Sequence, residues 1–337
     1  MRPVRQPSHD RFPVADEADA GAVRRAVARH AERLGAAPAA RGRAELVATE
    51  LSTNLVRHAK PGGWMLVRPV PPNGIEILAV DHGPGITDLP GVLDGRAPAP
   101  GGLGCGLAAV RRASAGFDVF TEPGRGTTVL SLVNLDSDRP APASRAWGGV
   151  SIGVTDVCGD GWAVAELDGG IAVAVVDGLG HGAKASLAAD AALAAFAADP
   201  TDLDRLVVRA NDAMRSTRGG ALTACLVEPG REELRYFAIG NVSGRVVSGS
   251  GHRGLVFSAG TLGLKSIPPR VRLASCPWPA DATLVLWTDG LTSRVQLAAD
   301  AELARHDPAV VAATLHRDHA RERDDATIVV VRNPVPP

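Results

Sequence analysis

Residues 45–60 read ELVATELSTNLVRHAK. Leu46, Val47, Leu51 and Leu55 recur at helical spacing, which predicts one long helix over Arg43–His58. Spacing by four puts Glu50, Asn54 and His58 on one face of it. A second periodic stretch, Glu17–Leu34, precedes it with Ala22, Val23, Ala26, Val27 and Leu34. Beyond Pro61-Gly62-Gly63 the pattern changes. Candidate strands lie at Trp64–Val70 and Gly74–Val80, followed by a Gly/Pro loop over Asp81–Gly104, a helix at Gly106–Ala115, and a hairpin at Phe117–Thr121 and Gly126–Val133. These elements do not alternate as βαβ units would. The expectation for this half is α+β, with a layer of helices on one face of an antiparallel or mixed sheet.

Three segments of this half carry chemistry. On the helix, an Asn54 oxygen suits Mg²⁺, which prefers oxygen donors, and Glu50 can take a proton from an attacking hydroxyl. In DHGPG (81–85), Asp81 ends a strand, where its carboxylate can accept from an exocyclic amino group, and Gly83 and Gly85 let backbone approach a planar ring. In GGLGCGLAAV (101–110), Gly104-Cys105-Gly106 opens a helix whose first amides favour phosphate. Each segment alone has a plain alternative: a polar helix face, a turn, a flexible loop.

In this order and spacing the three together resemble the N, G1 and G2 boxes of the GHKL (Bergerat-fold) ATPases, and GFDVFTEPGRGTTVLSLV (116–133) extends the match over nearly all of residues 15–135. The short form resembles the anti-sigma-factor serine kinases, and LGCGLAAVRRASAGFDV (103–119) is most similar to the switch kinases related to RsbT. The resemblance implies a Bergerat-type α/β sandwich that binds ATP with Mg²⁺. It makes Glu50 the general base, Asn54 the Mg²⁺ ligand and Asp81 the adenine reader. Gly83, Gly85, Gly104 and Gly106 would shape pocket and lid, Thr127 would back the adenine, and Arg57 would touch phosphate.

The second half repeats another pattern: aspartates that end strands beside glycines. They stand in CGDGW (Asp160), IAVAVVDGLGHG (Asp177, Gly178), TLVLWTDGL (Asp289) and RDDATIVVV (Asp324, Asp325). Ile171–Val176 and Thr283–Trp287 read as buried strands, and a carboxylate at such a strand end is costly unless paired or metal-bound. Asp-Gly is also a turn former, which explains any one of these but explains four poorly. Oxygen-only ligands point to Mg²⁺ or Mn²⁺ and away from zinc, and two such ions would activate a water for attack on a phosphoryl group. The set resembles the PPM metal-dependent serine/threonine phosphatases of the SpoIIE branch over residues 148–332, and AIGNVSGRVV (238–247) is most similar to the RsbX-like subset. By that resemblance the fold is an αββα sandwich. Asp177 bridges two metals, Gly178 offers its carbonyl, Asp289 and Asp324 complete the ligands, and Asp160 ligates one metal or supports the site from behind. Asp325 is the rival to Asp324, and His181 reads as a helix-start residue. No phosphate-gripping arginine is identifiable in this half.

Composition narrows the rest. The chain has 337 residues, a net charge of -1, and only three lysines, Lys60, Lys184 and Lys265. None follows glycine, so there is no P-loop, and none sits in a Val-Ala-Ile-Lys-like strand. The stretch DSDRPAPASRAW (136–147) is expected to be a linker between domains at 1–135 and 148–337. The first carries a net +3 and the second a net -4, neither basic enough for nucleic acid. The longest apolar run, 191–198, is far short of a membrane span, and residues 1–13 lack a signal peptide's apolar core, so a soluble cytoplasmic protein is expected. Cys105, Cys158, Cys225 and Cys276 form no CxxC pair and are expected to be small buried residues. His316 and His319 are expected on a solvated helix face.

The combined expectation is a bifunctional switch of an anti-sigma, partner-switching pathway, with a kinase and a phosphatase acting on STAS-domain antagonist or scaffold proteins. The alternative is an ATP-dependent binding module, docking a sigma factor or partner, with only the phosphatase half catalytic. A histidine-kinase remnant is disfavoured by the lack of a phospho-acceptor helix pair.

Overall fold

The computed structural model describes residues 4–96, 106–136, 145–297 and 301–333, which form two units. One is built from residues 9–145, the other from residues 4–8 with 146–333. Residues 4–8 thus pack with the second unit and not with the domain that follows them. The strand β1 (Val4–Arg5) pairs antiparallel with Ala163 and Val164 of the second unit, covering what would be a bare sheet edge. Most of the expected linker, 137–144, lies outside the described residues.

The first unit runs β2 (Asp10–Val14), α1 (Glu17–Arg33), α2 (Pro38–His58), β3 (Gly63–Val70), β4 (Gly74–Asp81), α3 (Leu89–Leu93), α4 (Gly106–Ala113), β5 (Gly116–Glu122) and β6 (Gly126–Asn134). Asp16 caps α1 in a reciprocal box with Asp19. Helix α2 starts five residues before its periodic run, at Pro38, a residue suited to a first helical turn. The sheet order is β2-β3-β4-β6-β5. Every pairing in it is antiparallel, which resolves the expected mixed sheet. The edge strand β2 escaped the sequence reading because it is short and contains Pro13, a residue tolerated at sheet edges. Alternate residues of β3, β4 and β6, among them Met65, Val67, Ile77 and Val129, pack with Val23, Val27, Val47, Leu51 and Leu55 of the helices. Each such burial is worth roughly 1.5–3 kcal/mol.

Strand β4 also carries a buried charge. Glu76 accepts from Arg68 Nε at 2.7 Å and from Arg145 Nη1 at 2.7 Å, with His9 Nε2 3.2 Å away. Burial would push this carboxyl upward, but the charges of Arg68 and Arg145 and the His9 hydrogen bond outweigh it and hold the group well below the usual carboxylate range. The network therefore joins the first and last residues of the unit to its central strand.

The second unit runs β7 (Trp147–Ile152), β8 (Asp160–Leu167), β9 (Gly170–Gly178), α5 (Ala183–Ala198), α6 (Leu203–Met214), β10 (Gly220–Glu228), β11 (Glu233–Ile239), β12 (Ser243–Ser248), β13 (Gly251–Gly254), β14 (Ala274–Pro277), β15 (Thr283–Trp287), α7 (Pro308–His319) and β16 (Ala326–Arg332). Two sheets result, β1-β8-β9-β10-β11-β14 and β13-β12-β15-β16-β7. Between them lies a core of Trp162, Val173, Val175, Cys225, Leu284, Leu286 and Val329. Outside the first sheet, the alanine-rich face of α5 packs with Leu206 and Met214 of α6 against Ala172, Ala174 and Leu222. Helix α7 lies on the second sheet so closely that a Cβ on Gly148 would come 2.4 Å from Ala309 N. The layers are αββα. This packing also corrects the histidine expectation: His316 is buried in α7, and only His319 is half-exposed. Cys158, Cys225 and Cys276 are buried and free, and burial pushes the Cys158 thiol up to about 12. Cys105 lies outside the described residues. Among the described residues no helix is long and apolar enough to cross a membrane.

Candidate functional site

In the first unit the sequence motifs converge at one end of α2. A Cβ built on Gly106, the first residue of α4, would stand 3.0 Å from Glu50 Oε2 and 3.5 Å from Asn54 Oδ1. The start of α4 is therefore directly over the two side chains. At the end of β4, Asp81 is nearly buried, and its Oδ1 accepts from Gly83 N at 2.7 Å and Thr127 N at 3.2 Å. One carboxylate oxygen thus fixes both the turn after β4 and the start of β6. Gly126 makes that approach possible: it has φ +88°, and a Cβ there would come 2.0 Å from Asp81 O, while Gly85, at φ +75°, instead lets its turn approach Glu122 O, which a Cβ would meet at 2.4 Å. Thr127 Oγ1 shares a 3.0 Å hydrogen bond with Thr121 Oγ1, which in turn accepts from Ile86 N at 2.8 Å. Thr121 was not singled out by sequence, since a hydroxyl on a strand carries no motif. Arg57 and His58 are exposed in the last turn of α2, and Gly104 lies outside the described residues.

In the second unit Asp160 and Asp177 face one another across β8 and β9. Asp289 follows β15 and Asp324 precedes β16, strands that pair with each other in the opposite sheet. Asp160 is 3% exposed and accepts from Thr288 Oγ1 at 2.7 Å. Burial pushes its carboxyl up to about 7 despite that bond, with the charges of Asp325 and Asp289 adding. Asp177 is pushed up to about 9, by burial first and then by the charges of Asp160, Asp289 and Asp324. Its Oδ2 is buried without a hydrogen-bond partner. Asp324 is raised as well, by burial and by Asp289 and Asp325, against the lowering influence of His181. Gly178 admits no side chain, because a Cβ there would meet Ala185 O at 2.2 Å.

Asp325 has a different part. It is buried, and its two oxygens accept from Val154 N at 2.7 Å and Gly159 N at 2.6 Å, fixing the loop between β7 and β8. Three residues that sequence reading did not single out also belong here. Thr288 holds Asp160, Asn241 donates from Nδ2 to Asp289 Oδ2, and Arg321 lines the same cavity as Asp177 and Asp289. That cavity measures about 570 Å³. Among the described residues no three His, Cys, Asp or Glu side chains close around a common point. The fit to divalent metal therefore rests on donor chemistry: an unpartnered buried oxygen amid mutually repelling carboxylates.

Fold and site together define a class, a GHKL-type nucleotide-binding domain followed by a metal-dependent phosphoprotein phosphatase domain. Residues 13–132 match the histidine kinase-like ATPase domain family, and residues 167–334 match the stage II sporulation protein E (SpoIIE) family. The serine/threonine-protein kinase RsbT of Bacillus subtilis (strain 168) is 32% identical over 104 residues, 30% of this chain and 78% of RsbT. A bacterial stressosome chain, from a modular system adapted to control secondary messenger signaling, superposes with a TM-score of 0.51. It is 24% identical and spans 56% of this chain and 98% of its own. RsbX in complex with magnesium gives a TM-score of 0.47 at 20% identity, over 55% of this chain and 92% of its own. The chain belongs, through its first half, to the RsbT family of serine/threonine kinases, and its second half is a SpoIIE-type PPM phosphatase domain. Kinase and phosphatase together fit a partner-switching regulator that uses ATP and divalent metal.

Proposed function

We propose that this chain sets the phosphorylation state of STAS-domain antagonist or scaffold proteins that control a sigma factor, one half adding phosphate to serine or threonine and the other removing it. The observation that carries the reading is that each half keeps its reacting carboxylate in place: Glu50 beneath the first residue of α4, and Asp177 with a buried oxygen lacking a partner.

In the kinase half, Asp81 reads the adenine amino group through its second oxygen while Oδ1 stays on the Gly83 and Thr127 amides. Gly83, Gly85 and Thr127 form the walls around the base. Asn54 would hold Mg²⁺, Gly104 and Gly106 would shape the pocket and lid by the family resemblance, and Arg57 would touch phosphate. Glu50 takes the proton from the substrate hydroxyl as its oxygen bonds to the γ-phosphorus and ADP leaves.

In the phosphatase half, Asp177, the Gly178 carbonyl, Asp289 and Asp324 would hold two Mn²⁺ or Mg²⁺ ions, with Asp160 ligating one of them or supporting the site from behind. Such ions supply a water acidified toward neutrality and neutralise phosphoryl charge. The chain's own contribution is to keep these carboxylates fixed through Thr288 and the Asp325 clamp.

The test uses the full chain with labelled ATP and candidate STAS proteins, then Mn²⁺ with the phosphorylated product. Glu50→Ala should abolish labelling while retaining ATP, and Asp177→Asn should abolish release. If the parent chain retains nucleotide but labels nothing, the first half is a binding module and the kinase reading is wrong.

A further inference from the structure

In the phosphatase reading above, the aspartates of the second unit would hold metal, but none of the residues named there is a basic side chain that could grip the substrate phosphate. Among the described residues lining the 570 Å³ cavity, Arg321 is the one lysine or arginine, and it shares the wall with Asp177 and Asp289. Its placement is fixed from both sides. Its own N–H donates to Gly290 O at 2.7 Å, and Ala320 bridges to Leu291, so the backbone at Arg321 is tied to the loop that carries Asp289. Four residues later, Asp325 O lies where a Cβ on Gly290 would come within 1.9 Å, which keeps the same two segments in contact. These ties hold the backbone; the exposed guanidinium of Arg321 lines the cavity and carries a planar fork of donors suited to phosphate oxygens.

A second arginine offers a comparison. Arg218 Nη1 would stand 2.9 Å from a Cβ on Gly180, in the loop after Asp177, but it is not part of the cavity wall. The rest of the wall mixes the exposed apolar side chains of Phe257 and Leu179 and the buried Trp287 with polar groups such as Asn241 and Ser243.

We infer that Arg321 is the phosphate-gripping residue of this cavity, binding the phosphoryl oxygens of a phosphoserine or phosphothreonine beside Asp177 and Asp289. The inference rests on the phosphatase reading above and adds the residue that gives it substrate affinity. Sequence could not single it out, because Arg321 lies two residues past the end of α7, outside any motif, and acquires meaning only through its tie to Gly290.

The experiment measures the Mn²⁺-loaded full chain, comparing the parent with Arg321→Ala, Arg321→Lys and Arg218→Ala. Two quantities are read: steady-state hydrolysis of a phosphoserine peptide, and the affinity for inorganic phosphate by calorimetry. Arg321→Ala should raise KM and weaken phosphate binding by roughly tenfold to a hundredfold, with Mn²⁺ affinity and melting temperature unchanged. Arg321→Lys should restore part of that loss, because it returns the charge without the fork, and Arg218→Ala should change both quantities by less than about threefold. Phosphate affinity within twofold of the parent in Arg321→Ala, or an equal loss in Arg218→Ala, overturns the assignment. A parent that binds phosphate through Arg321 but hydrolyses nothing supports the grip and overturns the phosphatase reading. A parent that neither binds phosphate nor hydrolyses peptide overturns both.

Discussion

Asp160 and Asp177 are direct partners in the antiparallel ladder of β8 and β9, so two carboxylates project side by side from one sheet face. Their carboxyls sit at about 7 and about 9, both above the ordinary value of roughly 3.9. A raised folded value means the native metal-free chain binds these protons more tightly than the unfolded one. The corresponding stability is fully present below about pH 4 and is lost as pH rises through about 7 and then about 9. In EDTA the second unit should therefore melt at a lower temperature at pH 9 than at pH 5, and Mn²⁺ should raise the melting temperature more at the higher pH. Scanning calorimetry of Asp160→Asn should show a flatter profile in EDTA. A metal-free melt that does not change across this window would contradict the repulsion.

Adjacent residues should separate metal binding from folding. Asp325→Ala removes the acceptors of two backbone amides, Val154 N and Gly159 N, and should cost about 2–3 kcal/mol in urea unfolding. Asp324→Asn removes no such acceptor pair. It should leave metal-free stability unchanged or slightly higher while abolishing Mn²⁺-dependent phosphate release. If Asp325→Ala unfolds at the parent's urea midpoint, the clamp is not structural.

The two oxygens of Asp81 can be tested apart in the same way. Asn at this position keeps an oxygen for Gly83 N and Thr127 N, so Asp81→Asn should fold normally and bind ATP roughly tenfold to a hundredfold more weakly. Asp81→Ala should lose the turn as well and melt lower. Equal ATP affinity in Asp81→Asn and the parent, by fluorescent-nucleotide titration, would remove Asp81 from adenine recognition.

Glu76 is the buried charge on which the first unit closes. Glu76→Gln keeps the shape but leaves the guanidinium charges of Arg68 and Arg145 without their buried carboxylate, a loss of about 3–5 kcal/mol when one member of such a group is removed. Chemical denaturation should show the first transition shifting to lower denaturant, while the second unit's transition stays where it was.

The helices and most strands were legible because their signal is local. The apolar stripe through Val47, Leu51 and Leu55 and the run Ile171–Val176 each announce a buried face within a few residues, and both lie in elements of the expected kind. Asp177, near the end of β9, and Asp289, just after β15, stand at strand ends as expected, whereas Asp160 opens β8 and Asp324 precedes β16, so these two lie at strand starts. What was missed has no local signature. β2 is short and contains a proline, Thr288 gains a role only when Asp160 arrives from the other sheet, and His316 is buried because α7 lies on β7 and β16.

By itself the sequence determined that a kinase-type half and a phosphatase-type half are joined here. It also pointed to the groups proposed to act in them, the Glu50–Asn54 helix with its glycine turns and the carboxylates flanking apolar strands, because residue type and spacing along one element decide which groups can meet. Tertiary structure alone decided between neighbours and supplied partners from a distance. It turned Asp325 inward onto Val154 and Gly159, brought Arg321 to the cavity that Asp177 and Asp289 also line, and paired residues 4–5 with the sheet edge at β8. Those outcomes depend on which backbone amides and buried charges are left needing partners once sheets and helices have packed. That quantity belongs to the assembled chain and not to any stretch of it.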